Sequence, residues 1–133
     1  MFWEALMRLV IVFRAFAVTQ FFVVVATLAA PKLVMESFEL TYSADILLVI
    51  QLSALCQIMF AIVTFALPSW LGHNLWKAAS TYVWISLLPV LLNIYHVASN
   101  HKAFTNASYF ENGLWLLFAL LFYLFGKKMK LYF

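Results

Sequence analysis

The sequence predicts an all-α integral membrane protein of four transmembrane helices, folded as a single domain over residues 1–133. Three observations lead there. Hydrophobic residues make up 67% of the chain and charged ones only 10%, against roughly half and a quarter in soluble domains. Four apolar runs are separated by short polar segments, and most are apolar all the way round, where a soluble helix keeps a polar face. Basic residues stand singly or at the chain end, without the basic, aromatic-lined groove that nucleic acid requires, so no nucleic-acid partner is expected.

The first span is expected at about 9–30, closed by Pro31 and Lys32. At 1.5 Å per residue it matches a hydrocarbon core of about 30 Å. Ahead of it, Phe2, Trp3, Leu6, Met7 and Val10, with Glu4 and Arg8 at i,i+4, predict an amphipathic extension of the same helix in the headgroup zone. Arg8 and Arg14 before an apolar stretch ending in small residues also fit a signal peptide; a retained anchor helix is the expectation. Arg14 lies inside the run, so it either snorkels to the interface or is held by a partner subunit.

The segment 31–45 is acidic, and Leu33, Phe38 and Tyr42 are placed on one side of a short interfacial helix. The second span, about 46–67, is expected to end at Pro68. Ser53, Gln57 and Thr64 share one of its faces, with Gln51 pointing the other way. Buried amides and hydroxyls in such helices usually bond neighbouring helices. A connection over 69–79 mixes Trp70, His73, Trp76 and Lys77, as at a membrane interface.

The third span, about 79–99, organises the rest. Tyr82, Ser86, Pro89, Asn93 and His96 fall within roughly 80° of one another at 100° per residue, so this face is expected to look inward, with a kink at Pro89. After a loop over 100–112, in which Asn106-Ala107-Ser108 matches a glycosylation acceptor, a fourth span is expected at about 110–129. Trp115, Phe118, Phe122 and Phe125 form an aromatic stripe on it.

Counting by side, Arg8, Arg14, Lys77, Lys127, Lys128 and Lys130 oppose only Lys32 and Lys102. That excess predicts both termini in the cytoplasm, and the bacterial inner (plasma) membrane is the expected location.

Chemistry is harder to find. The single cysteine, Cys56, lies in an apolar run, where a thiol is inert. No metalloprotease, nucleophile-elbow, phosphate-loop or dinucleotide motif is present, and an enzyme is not expected. His96 is the only histidine inside a span, while a membrane haem commonly takes two axial side chains, so neither cofactor nor metal is expected. All five carboxylates sit at span edges, unlike those of proton-coupled carriers. Gly72, Gly113 and Gly126 lie at or beyond span ends, and there is no GxxxG.

The expectation is therefore a non-enzymatic accessory subunit, docked on other integral membrane subunits and bathed in membrane lipids, that stabilises or regulates a larger complex. Arg14, Trp115, Phe118, Phe122 and Phe125, with the polar face of the third span, are its expected docking surfaces. The alternative is a homo-oligomeric transporter or channel. Gln57, Ser86, Asn93 and His96 are the candidate binding residues, with Gln57, Asn93 and His96 along the path.

Overall fold

The structure, a computed structural model, describes residues 1–101 and 103–133; Lys102, counted above with Lys32, lies outside them. The described residues form only helices and connections: α1 (Phe2–Ala29), α2 (Pro31–Ser37), α3 (Ala44–Leu71), a 3₁₀ turn (Gly72–Asn74), α4 (Leu75–Ala98) and α5 (Asn106–Lys130). Three stretches are long and apolar enough to cross a membrane: Phe2–Ala29, Ala44–Ala98 and Asn106–Lys130. The middle one is a 55-residue run that the 3₁₀ turn folds back on itself, for Thr64 and Tyr82, nine residues either side of His73, touch at 2.7 Å.

Local chemistry sets most boundaries. Ser43 and Thr105 cap α3 and α5, their hydroxyls accepting from the backbone N–H of Ile46 and Ser108. Pro31 opens α2, where a missing N–H costs nothing. Glu39 and Asn100 take left-handed φ of 56° beyond α2 and α4. In each case the next N–H reaches back to a carbonyl five residues earlier, Leu40 to Met35 and His101 to His96, closing the last turn. Gly72, at φ 50° and ψ −121°, occupies backbone space closed to most side chains and reverses the chain.

Several boundaries differ from expectation. Helix α3 continues through Pro68 to Leu71, because an internal proline removes only its own bond and the Gly72 N–H still reaches Pro68 O. The connection placed at 69–79 thus shrinks to three residues. The interfacial helix stops at Ser37, leaving Phe38 and Tyr42 beyond it, and the last helix starts at Asn106 on its Thr105 cap.

The helices pack in the sequence α3–α1–α5–α4, with α3 and α4 meeting only sparsely. Both termini and the 3₁₀ turn share one end: Phe2 packs edge-on against Tyr132 and Phe133, and His73 lies 5.8 Å from the Phe133 ring. The centre is aromatic. The Phe16 ring has the rings of Phe60, Tyr82, Trp115, Phe118 and Phe122 around it at 5.1–6.4 Å. Those five come from all three other long helices. Thr64 gives its one hydroxyl proton to Phe60 O, at 2.8 Å, so in the contact with Tyr82 the tyrosine donates.

The α4–α5 seam is continuous. Ala79, Tyr82, Ser86, Val90 and Asn93 of α4 are buried, as are Asn112, Trp115, Phe118, Phe122 and Gly126 of α5. At one end Gly126 lies hard against Ala79; at the other Asn93 Nδ2 donates to Asn112 Oδ1 at 2.9 Å.

Candidate functional site

Because α3 and α4 diverge away from the Thr64–Tyr82 contact, the bundle is left incompletely filled. An open cavity of about 630 Å³ lies there, bounded by all four long helices and α2. Its wall is largely apolar, with Val23, Ile85 and Leu114 among the contributors. Polar side chains interrupt it: Gln20 and Thr27 from α1, Ser37 from α2, Gln57 from α3, and Glu111 and Trp115 from α5. Pro89 lies on the same wall, where a pyrrolidine ring leaves room that a longer side chain would fill.

Two of these residues carry unsatisfied atoms. Gln20 Oε1 and Trp115 Nε1 are buried without a hydrogen-bond partner among the described residues. Beside the cavity a polar cluster is better served: the Asn93 amide donates to Asn112 and, at 3.4 Å, to Glu111 Oε2. This ties the carboxylate that borders the cavity to the α4–α5 seam. Among the described residues no three of His, Cys, Asp and Glu converge to hold a metal ion. No family model matches the chain, and neither a curated protein nor a solved structure matches it.

The candidate residues read from the sequence separate into three places. Gln57 reaches the cavity. Asn93, 7% exposed, and Ser86, fully buried, lie on the inward face of α4, and Ser86 Oγ has no hydrogen-bond partner among the described residues. His96 stands at the end of that face, half-buried beside the rings of Tyr95 and His101 rather than on the cavity. Arg14 is exposed, its guanidinium 5.3 Å from the centre of the Phe65 ring, a cation–π geometry that holds the charge against α3.

The expected docking surfaces need correction. Trp115, Phe118 and Phe122 are buried against α1 and α4, and Phe125 is half-buried behind them, so the stripe is the chain's own core. The polar face of α4 is likewise used internally. Every long helix exposes apolar side chains, and α3 buries the fewest of its described residues, Ala54, Ala61, Thr64 and Pro68.

Sequence reasoning missed Gln20, Asn112 and the orphaned indole of Trp115. Gln20 had a usable signal, as an amide in the middle of an apolar run. Asn112 lay in the overlap of the expected loop (100–112) and fourth span (110–129), and no sequence signal paired it with Asn93, to which the helix starting on the Thr105 cap brings it.

Proposed function

We propose that the chain is a non-enzymatic integral membrane subunit with four membrane-crossing helices, both termini cytoplasmic in a bacterial inner membrane. In this reading it docks through α3 onto a larger membrane protein complex, which it stabilises or regulates. The observation that carries the proposal is Gln51. This amide is exposed on α3 among exposed Leu48, Val49, Leu52 and Leu55, and has no hydrogen-bond partner among the described residues. In hydrocarbon no water satisfies it. A facing helix would, at about 0.6 kcal/mol and up to about 2 kcal/mol per bond. The small buried residues Ala54 and Ala61 lie where α3 packs on α1, while Leu48, Val49, Leu52, Leu55, Met59 and Ile62 stay exposed on it. The excess of lysine and arginine at the end shared by the termini and the 3₁₀ turn supports the orientation.

Native mass spectrometry of the protein, gently extracted from its own membrane, tests this reading. Other subunits should accompany it at fixed ratio, and Gln51→Leu should weaken their retention about three-fold or more while helicity is unchanged. Recovery of the wild-type chain solely as a monomer or homo-oligomer sinks the proposal. A homo-oligomeric transporter is favoured by Gln57 on the cavity wall, but Asn93 and His96, the rest of its path, are not among the cavity's lining residues.

A further inference from the structure

A groove of about 310 Å³ runs between α1 and α3 and shares no lining residue with the cavity described above. Ala17 and Ala61, both buried, are too short to fill the space between the helices, while Val18, Phe21, Ile62 and Phe65 stand exposed along it. Every side chain that lines it is apolar, so the groove offers water no polar partner.

Arg14 stands at one end of this groove, one turn of α1 before Ala17 and Val18. Its guanidinium lies over the ring of Phe65, 5.3 Å from the ring centre. The ring attracts the cation through its π face and takes up none of the five N–H donors. Those donors have no hydrogen bond or ion pair among the described residues, where the two ion pairs join Arg8 to Glu4 and Lys32 to Glu36. Arg14 is also exposed, so a ligand reaches it.

Helix direction places that charge in depth. From Arg14 to Phe21 and from Phe65 to Ala61, the groove leads away from the end shared by the termini and the 3₁₀ turn. Counted back from Ala29 at 1.5 Å per residue, a hydrocarbon core of about 30 Å begins near residue 9. Arg14 is then about 7.5 Å inside it. Helical side chains lean toward their own N-terminus, here the nearer membrane surface, and a long basic side chain snorkels across such a depth.

We propose that the groove seats one acyl chain of an anionic phospholipid whose phosphate is held by Arg14. The guanidinium fork matches a phosphate through paired N–H···O bonds. A choline headgroup brings its own cation, which competes with Arg14 for the phosphate, so net negative lipids are preferred. A partner's carboxylate facing Arg14 would have to sit inside an apolar span, where charge is costly and rare; the phosphate is already at the surface. A volume near the lower end of the roughly 300–1,000 Å³ of small-molecule sites suits a single chain. The inference rests on the chain spanning a membrane and not on docking through α3, for Gln51 is fourteen residues, about 21 Å along the axis, from Phe65.

The experiment uses the full chain in phosphatidylcholine nanodiscs with phosphatidylglycerol bearing a diazirine on one acyl chain. Photolabelling should saturate and map to residues 17–21 of α1 and 61–66 of α3. Unlabelled phosphatidylglycerol should displace the probe at least about ten-fold better than phosphatidylcholine. Arg14→Gln should weaken phosphatidylglycerol binding about ten-fold, the effect of a charge-assisted bond. Ala66→Phe, which adds a ring to the groove, should reduce labelling of both segments with Arg14 in place. Phosphatidylcholine competing as well as phosphatidylglycerol overturns the proposal, as does label that maps elsewhere or undiminished binding in Arg14→Gln. So does the loss of another subunit from Arg14→Gln, extracted from its own membrane, with lipid retention unchanged; Arg14 would then belong to a partner's carboxylate. Should either variant fail to fold, the competition and mapping on the wild-type chain decide alone. The nanodisc measurements use the isolated chain, so recovery of the protein without other subunits sinks the docking proposal and leaves the lipid site standing.

Discussion

Phe16→Ala is expected to lower the free energy of unfolding by about 3 kcal/mol, toward the low end of the roughly 3–5 kcal/mol seen when a buried phenylalanine is truncated. Phe16 is 1% exposed and, like Tyr82, touches aromatic side chains of all three other long helices. Its removal takes the centre out of the cluster, and neither α1 nor α5 can collapse into the space without losing the contacts of Phe13 with Tyr82 and Phe122. The low end applies because helices leaving one another in a membrane or micelle enter an apolar surrounding, so lost packing rather than exposure to water makes up the cost. Denaturant titration in a mild detergent, followed by circular dichroism, measures it. A loss under about 1 kcal/mol would contradict the packing around this ring.

The second large effect concerns the other end of the seam. A Cβ on Gly126 would stand 2.8 Å from the Ala79 Cβ, nearer than real Cβ atoms come. Gly126→Ala must therefore push α4 and α5 apart where small residues let the backbones approach. Overpacking of this kind costs about 1–3 kcal/mol. Ala79→Gly in the same chain should return most of that stability, because it removes the atom that is struck. A double-mutant cycle read by thermal unfolding checks the pair, and additive losses would show that the two positions do not meet.

Both positions bear on what could be read in advance. The inward face of α4 was legible because Tyr82, Ser86 and Asn93 are polar, and a polar line on an apolar helix needs neighbours. The aromatic stripe of α5 was placed on the wrong side because hydrophobicity alone does not distinguish a face toward lipid from a face toward protein when both are equally apolar. Ser108, Asn112 and Gly126 lie on the same buried side as Trp115 and Phe122. Weighing those small and polar residues, rather than the rings, orients the helix correctly. Pro68 misled for another reason, since a proline near a helix end reads as a stop while the remaining carbonyls can still be reached from beyond it. The cavity was legible only in part: Gln57 stood out, but a space left by α3 and α4 diverging is set by how whole helices lean, which residue spacing does not encode.

The two end contacts of the α4–α5 seam act together as a ruler. From Ala79 to Asn93 is fourteen residues, and from Gly126 back to Asn112 is also fourteen, four turns at the 3.5-residue period of a left-handed helix pair. If α5 slid along α4 by one turn, Gly126 would no longer face Ala79 and both amides would be stranded against apolar neighbours. One mark sets how near the helices come and the other how far along they stop. Together they give a pair of mostly interchangeable greasy surfaces a single alignment, much as one polar residue fixes the register of a coiled coil.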